Sequence, residues 1–328
     1  MEMNDLIAPY KYNLTEEMEV FAKDASKKAL VWRNEQGDKK SITYAELFKQ
    51  VNQVANALTN RGLAKGDRIL IIMPRLIETY VMYLGCLKAG LVVIPSSEML
   101  RSKDLSYRIN HGEAKAVIAY EPFTEEVDNI QEATPSLNDK FVIGHETNEW
   151  MSIEKIMASE SESFSGIETN RDDMAFLSYT SGTTGHPKGV VHSHSWAYAH
   201  LRTAADSWLN IREGDVVWAT AGPGWQKWIW SPFVSVLGKG ATGFVYHGKF
   251  DPNTYLNLVQ DEKINVLCCT PTEYRLMAKV NDLASYDLKE LHSAVSAGEP
   301  LNREVIDVFK KYHGIDVRDG YGQTENSL

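Results

Sequence analysis

The 328-residue sequence predicts an α/β protein made of two units with largely parallel sheets packed together. Two observations predict this class. Short apolar, β-branched segments alternate with helical patterns, which is typical of parallel sheets covered on both faces. This alternation occurs twice, separated by a polar stretch, and the chain is longer than one hydrophobic core usually supports.

The first unit, residues 1–145, contains a helix with a clearly marked start. Thr43 and Glu46 match the S/T-x-x-E capping box, and apolar residues then recur at helical spacing until Gly62. Strands are expected next at 67–73, 91–95 and 114–120, with helices between them at 76–90 and after a capping Ser102. The first unit therefore reads as alternating strands and helices.

Residues 146–172 are rich in Ser and Glu around one short amphipathic piece, and we interpret them as a surface connection. The second unit, residues 173–328, repeats the alternation of strands and helices. Its expected strands are 174–180, 189–194, 215–221, 241–246, 264–270 and 292–298. Its expected helices are 195–210, 225–237, 251–262, 271–281 and 301–313.

Composition excludes several classes of function. The formal net charge of −10 disfavours nucleic acid as a partner, because phosphate backbones require a basic surface. Cys86, Cys268 and Cys269 form neither a disulfide framework nor a zinc motif, so buried free thiols are expected. The N-terminus lacks the features of a signal peptide, and no apolar run is long enough to span a bilayer. We therefore expect a cytoplasmic protein without a membrane span.

The stretch YTSGTTGHPKG, residues 179–189, points to chemistry. Glycines let the backbone approach a ligand closely, and successive backbone N–H groups with hydroxyls form an anion site. Lys188 adds a positive charge suited to a polyphosphate. A flexible surface linker is the alternative, but it does not explain Lys and Pro fixed among glycines between two strands. We call residues 180–188 the phosphate loop.

Two common phosphate motifs do not fit the sequence. A Walker A motif requires Gly-Lys in that order before a helix, whereas Lys188-Gly189 is reversed and a strand is expected to follow. The pattern G-x-G-x-x-G begins at Gly222 and at Gly320 but is completed at neither position. The loop thus belongs to another class of phosphate site.

The stretch YTSGTTGHPKG resembles the phosphate-binding signature of the adenylate-forming enzymes. These include the AMP-forming acyl-CoA synthetases, among them the medium-chain and short-chain acyl-CoA ligases. Four further segments resemble family motifs in the family's order, so the resemblance covers nearly the whole chain. They are ITYAEL (42–47), LKAGLVVIP (87–95), SAGEP (296–300) and DGYGQTE (319–325).

The resemblance implies an ATP-dependent ligase of fatty acid metabolism that uses Mg²⁺ and coenzyme A. ATP and a carboxylate would give an acyl-adenylate and pyrophosphate, after which the thiol of coenzyme A would displace AMP. The residues implied for the β- and γ-phosphates are Thr180, Ser181, Gly182, Thr183, Thr184, Gly185 and Lys188. Those implied around adenine are Gly298, Glu299, Pro300, Asp319, Gly320 and Tyr321, with Gln323 beside the nucleotide. Thr324 would bind the α-phosphate and Glu325 the Mg²⁺, so Lys188, Thr324 and Glu325 are the implied catalytic residues.

The resemblance also suggests which residues line the acyl pocket. Trp225 lies where acyl-CoA synthetases place a pocket Trp, although a core aromatic, as expected for Trp228 and Trp230, is an equal alternative. Gly298 and Gly322 would also line the pocket. Acetyl-CoA synthetases similar to this family carry a second Trp in the place of Gly322. We therefore expect an acid larger than acetate.

The sequence departs from the family after Glu325. Family members continue with a ribose-binding Asp, a hinge and a small C-terminal domain that bears a catalytic Lys, so we expect these 328 residues to turn over weakly alone. The alternatives are a non-catalytic nucleotide-binding remnant, an aryl-acid or 2-oxo-acid ligase, a peptide-synthetase adenylation domain, or an acetyl-CoA synthetase-like enzyme. His192 and His194, two apart on one expected strand, form a possible metal pair, although ordinary strand residues are favoured because no third ligand is near. The oligomeric state is left open.

Overall fold

The computed structural model describes residues 2–165, 167–180 and 185–326. Its strands are β1 Lys28–Asn34, β2 Lys39–Thr43, β3 Arg68–Ile72, β4 Val92–Ser96, β5 Ala114–Tyr120, β6 Asp139–Ile143, β7 Met151–Ser152, β8 Met174–Thr180, β9 Lys188–Ser193, β10 Val216–Ala219, β11 Thr242–His247, β12 Val266–Cys269, β13 Ser293–Ala297 and β14 Val317–Gly320. Its helices are α1 Glu16–Glu19, α2 Tyr44–Asn60, α3 Ile77–Lys88, α4 Ser102–His111, α5 Thr124–Asp128, α6 Ile153–Met157, α7 His194–Arg202, α8 Gln226–Trp228, α9 Val236–Gly238, α10 Pro252–Asp261, α11 Pro271–Met277 and α12 Arg303–His313. Short 3₁₀ turns and two π-helical segments, Ala204–Leu209 and Ile229–Ser235, complete the secondary structure of these ranges.

The strands form two seven-stranded sheets. The first has the order β7-β6-β5-β3-β4-β8-β9 and is parallel except for the antiparallel pair β8–β9. The second has the order β14-β13-β12-β10-β11-β1-β2 and is parallel from β14 to β1. The predicted α/β class with two largely parallel sheets is confirmed.

The chain divides into two compact units, one around each sheet. The first contains 1–27, 43–199 and 222–226, and the second contains 28–42, 200–221 and 227–328. This differs from the predicted division at 146–172. The reason is strand pairing. β8 pairs with β4 of the first sheet, and β1 pairs with β11 of the second. Each strand therefore belongs to the unit of the sheet with which it is hydrogen-bonded, and its position along the chain does not decide this.

The segment predicted as a surface connection contributes to the first unit. It contains strand β7, which extends the first sheet beside β6, and helix α6, which begins at a Ser152 cap. Strands β1, β2, β6, β7 and β14 were not predicted, because they are short or lie among charged residues and do not form long apolar runs.

The predicted N-cap residue is confirmed for helix α2 but is wrong for helix α4. Thr43 and Glu46 form the predicted capping box of α2, with the Glu46 N–H donating to Thr43 Oγ1 over 3.2 Å. Ser102 was predicted to cap α4, but Arg101 is the cap residue and Ser102 is the first residue of the helix. The Ser102 hydroxyl instead donates to Glu126 Oε2 over 2.9 Å, because that carboxylate lies beside the helix start.

Each sheet has its own buried core. In the first unit, apolar side chains of β3, β4 and β5, including Leu70, Ile94 and Val117, are fully buried. In the second unit, Trp218, Phe244 and their neighbours form an aromatic core. These strands were predicted from their apolar runs because burial on both faces leaves few polar residues in them. Among the helices that the structure describes, none combines the length and hydropathy needed to cross a membrane.

Candidate active site

The phosphate loop connects β8 to β9, which pair antiparallel. Tyr179 lies opposite Gly189, and Thr180 lies opposite Lys188, so the pairing continues up to the loop itself. A strand follows the loop, which agrees with the rejection of a Walker A motif. The predicted phosphate ligands Ser181, Gly182, Thr183 and Thr184 lie outside the described residues.

The described part of the loop fits an anion ligand. Gly185 has φ +93°, a conformation that favours glycine, and no atom lies within 4 Å of the position where a Cβ would be. The Lys188 side chain is exposed, and no hydrogen bond or ion pair joins its Nζ to another residue in the described ranges. An open glycine backbone with a mobile ammonium group nearby is suited to a polyphosphate.

Residues of helix α4 lie beside the loop, and sequence reasoning missed them. The Tyr107 hydroxyl donates to the Pro187 carbonyl over 2.9 Å, and the Tyr179 hydroxyl lies 2.9 Å from His111 Nδ1. Burial raises the pKa of Tyr179 to about 12, so its hydroxyl stays neutral. The Arg108 guanidinium lies 5.3 Å from the centre of the Tyr179 ring, and burial lowers the pKa of Arg108. No motif marks these residues, because they contact the loop only in the fold.

The segment that contains Trp225 belongs to the same unit as the loop. Gly224, at φ +91°, packs so closely that a Cβ would lie 2.2 Å from the Ser97 backbone nitrogen at the end of β4. Trp225 is 55% exposed, whereas Trp228 and Trp230 are buried. Trp225 is therefore not a core aromatic, while the core prediction for the other two is confirmed.

The adjacent Gln226 has a buried side chain whose oxygen accepts a hydrogen bond from the Ser178 hydroxyl over 2.5 Å. Ser178 lies in β8, two residues before Thr180. Gln226 thereby ties the Trp225 segment to the strand that leads into the phosphate loop.

In the second unit, the predicted adenine residues lie at the carboxyl ends of two neighbouring strands: Asp319 and Gly320 end β14, and the others follow β13 or β14. β13 and β14 are parallel, with Ala297 opposite Gly320, so Gly298 and Tyr321 emerge side by side. Gly298 has φ +117°, and no atom lies within 4 Å of the point that a Cβ would occupy, which leaves its peptide open to a planar ring. Ligands of open α/β sheets bind at this carboxyl edge.

Hydrogen bonds hold the residues around Gly298. Glu299 Oε1 accepts from the Thr272 hydroxyl over 2.5 Å and from Arg275 over 3.2 Å. Asp319 Oδ2 accepts from the Leu301 backbone N–H over 3.1 Å, which connects the end of β14 to the residue after Pro300. The two predicted adenine segments are thus directly bonded to each other.

The segment after β14 is open to solvent. Tyr321 is 75% exposed, Glu325 is exposed, and Thr324 and Gly322 are partly buried. The Gln323 backbone N–H donates to Asn326 Oδ1 over 2.8 Å. An exposed carboxylate at Glu325 provides the type of oxygen ligand that Mg²⁺ prefers.

The histidine pair does not form one face of a strand. His192 lies in β9, but His194 is the first residue of α7, and its Nδ1 accepts from the Leu14 backbone N–H over 3.2 Å. Burial lowers the pKa of His194 to about 4, so the imidazole is neutral. No cluster of three potential metal ligands occurs in the ranges that the structure describes.

Residues 18–328 match the family model described as AMP-binding enzyme. The chain belongs to this family. It is 56% identical to the uncharacterized acyl-CoA ligase YtcI of Bacillus subtilis (strain 168), over all of the chain and 61% of that protein. It is 34% identical to the mitochondrial acyl-coenzyme A synthetase ACSM3 of Mus musculus, over 95% of the chain and 54% of that protein. The chain thus spans somewhat more than half the length of these two relatives.

Two solved structures share the fold. The anthranilate CoA ligase AuaEII in complex with anthranoyl-AMP matches with a TM-score of 0.90 at 24% identity, over 99% of this chain and 62% of that one. An acyl-CoA synthetase of Brucella canis matches with a TM-score of 0.88 at 23% identity, over 98% and 59%. At this identity the matches establish the fold alone.

Proposed function

We propose that this chain is the nucleotide-binding part of an AMP-forming acyl-CoA synthetase. The observation that supports this most directly is the 56% identity to a protein named acyl-CoA ligase, over the whole chain. The phosphate loop between β8 and β9 and the open peptide of Gly298 at the end of β13 are both suited to ATP.

The proposed reaction has two steps. In the first, a carboxylate oxygen attacks the α-phosphorus of ATP, the bond to the bridging oxygen breaks, and pyrophosphate leaves. In the second, the sulfur of coenzyme A attacks the acyl carbon, its proton is lost, and AMP leaves. Anionic groups meet in the first step, so donors that neutralise charge are the main requirement.

The roles of the residues follow from this requirement. Lys188 and the backbone of the phosphate loop would bind the β- and γ-phosphates and neutralise the leaving pyrophosphate. Thr324 would hydrogen-bond the α-phosphate. Glu325 would hold Mg²⁺, which when bound supplies positive charge to the phosphate oxygens. Gly298–Pro300 and Asp319–Tyr321 would surround adenine.

We propose an acid larger than acetate as the substrate. Gly322 provides no side chain to close the pocket, and the exposed Trp225 is available to contact an acyl chain. Each methylene buried against such a wall contributes about 0.8 kcal/mol. A medium-chain, branched or aromatic acid would gain most from the additional space.

Pyrophosphate release tests the proposal. The complete protein is incubated with ATP, Mg²⁺ and carboxylates from acetate to octanoate, and hydroxylamine traps any acyl-adenylate. We expect acid-dependent pyrophosphate and a hydroxamate, with longer acids preferred over acetate. ATP binding without pyrophosphate from any acid would favour a non-catalytic nucleotide-binding protein, and a preference for acetate would contradict the substrate class.

A further inference from the structure

Helix α4 places an aromatic stack against the end of the phosphate loop. The Tyr107 ring lies 5.7 Å from the His186 ring with an interplanar angle of 17°. The Tyr107 ring also lies 5.3 Å from the His111 ring at an interplanar angle of 20°. Tyr107 thus stacks with two imidazoles, one of which, His186, belongs to the loop.

The same tyrosine also holds the loop backbone. Its hydroxyl donates to the Pro187 carbonyl over 2.9 Å. Pro187 directly precedes Lys188, and proline has a fixed φ and no N–H of its own. Fixing its carbonyl therefore restricts the direction in which the chain continues to Lys188.

The residues on the other side of the loop contact the same helix. Tyr179, directly before Thr180, is hydrogen-bonded to His111 and faces Arg108. A Cβ on Gly189 would lie 3.5 Å from His111 Cε1, so the imidazole lies at van der Waals distance from the start of β9. Helix α4 thus contacts the chain both before and after the loop.

Packing alone does not account for Tyr107. His186 is exposed and Tyr107 is only partly buried, so their contact removes little apolar surface from water. The directed contacts are a hydrogen bond to a loop carbonyl and parallel ring stacking. Both restrain the loop more than they add to a core.

We propose that Tyr107 is a positioning residue that orders residues 185–188, so that Lys188 is presented to the nucleotide phosphates. The consequence for ATP rests on the proposed function, whereas the ordering of the loop does not. Preorganised donors bind more tightly because less conformational entropy is lost on binding.

Two variants separate the hydrogen bond from the stack. Tyr107→Phe keeps the ring and removes the hydroxyl, and Tyr107→Leu removes both. Tyr286→Phe is the matched control, because its hydroxyl contacts Asn253 Oδ1 over 3.2 Å on the surface of the second unit. The first readout is amide hydrogen exchange of the peptide covering residues 185–192 without nucleotide.

We expect the exchange rate of this peptide to rise about fivefold in Tyr107→Phe, because that factor corresponds to the net contribution of one hydrogen bond. The rate should rise further in Tyr107→Leu. The control should not change it. The second readout is ATP affinity and kinetics: Kd and KM for ATP should rise about fivefold in Tyr107→Phe, with KM for the carboxylate unchanged.

Unchanged exchange at residues 185–192 in Tyr107→Phe would overturn the ordering role, even if Tyr107→Leu failed to fold. Increased exchange with an unchanged Kd for ATP would overturn the presentation of Lys188. A wild-type protein that binds no ATP would refute the proposed function separately, and the exchange result would still decide whether Tyr107 orders the loop.

Discussion

The two sheets have the same strand order but carry different connections. Strands β3 to β7 of the first sheet take the positions that β10 to β14 take in the second, in the same sequence. The pair β8–β9 occupies the place of β1–β2. The two sheets therefore share one spatial order of strands, although β8–β9 follow β7 along the chain whereas β1–β2 precede β10. Differences in chemistry are expected from the residues that join and follow the strands.

The connections within the two pairs differ most. In the second sheet, residues 35–38 join β1 to β2, and the Asn34 backbone N–H donates to the Asp38 carbonyl over 3.2 Å, which is an ordinary tight connection. In the first sheet, the same position holds the phosphate loop. The connection between the last two strands is therefore a short turn in the second sheet and a longer, glycine-rich candidate anion site in the first.

At the opposite edges, formed by β7 and β14, it is the second sheet that carries the candidate functional residues. In the first sheet, β7 continues at once into helix α6, whereas in the second, β14 is followed by residues 321–326, which are exposed apart from the partly buried Gly322 and Thr324. Each unit therefore has candidate functional residues at one position where the other unit has only a short connection or a helix start. The following variants test this comparison, beginning with the largest expected effect.

Two glycines with left-handed backbones should respond very differently to alanine. Gly37 in the β1–β2 connection has φ +87° and open space at its Cβ position, so Gly37→Ala should cost only about 1 kcal/mol in the free energy of unfolding. Gly224 has φ +91° and backbone atoms of Ser96 and Ser97 within 2.5 Å of that position, so Gly224→Ala should cost more than about 3 kcal/mol. Urea denaturation measures both. Equal losses would mean that the Trp225 segment is not fixed against β4.

Sequence reasoning found what depends on local pattern and missed what depends on the fold. The apolar strands and the Thr43–Glu46 box were predictable because burial and capping leave a signature within a few residues. The position of the loop between β8 and β9 was predictable for the same reason, and its phosphate-binding role stays a prediction. The contacts of Tyr107 and His111 with the loop were not, because about 80 residues separate them from it along the chain.

The lysines of the two hairpins should separate function from surface charge. Lys188→Ala should lower acid-dependent pyrophosphate release roughly 100-fold, because it removes the charge proposed to meet the leaving group. Lys39→Ala, in the equivalent pair of the second sheet, should change it less than about twofold. Lys39 only pairs with Glu262 over 2.6 Å, and Arg33 remains beside that carboxylate. If both variants lost pyrophosphate release to a similar extent, Lys188 would have no role in the reaction that Lys39 lacks.

Each unit contains a buried histidine that should make it sensitive to acid. Burial lowers the pKa of His194 to about 4, with Asp173 opposing and Lys65 adding to the shift, and lowers the pKa of His200 to about 4. The unfolded value is about 6.5, so the unfolded chain binds more protons and stability is lost as pH falls from 6.5 towards 4. Between pH 7 and pH 5 each should cost about 2 kcal/mol of unfolding free energy.

Urea denaturation at the two pH values measures this dependence. His194→Asn retains an acceptor for the Leu14 N–H, and His200→Gln retains a donor for the Trp230 carbonyl that lies 3.1 Å from His200 Nε2. Neither replacement titrates, so each should remove about half of the combined effect. A pH dependence that is unchanged in both variants would show that other groups cause it.

Gly322, in the segment after β14, should influence acyl-chain selectivity with the smallest effect of the series. Gly322 is the second residue after β14 and is partly buried. Gly322→Trp should lower kcat/KM for hexanoate relative to acetate by about tenfold, close to the loss of two buried methylenes, while KM for ATP stays the same. Gly322→Ala is the matched control and should shift the ratio less than about threefold, since one methyl group closes little space. If Gly322→Trp kept full activity and an unchanged chain-length profile, this segment would not border the acyl pocket.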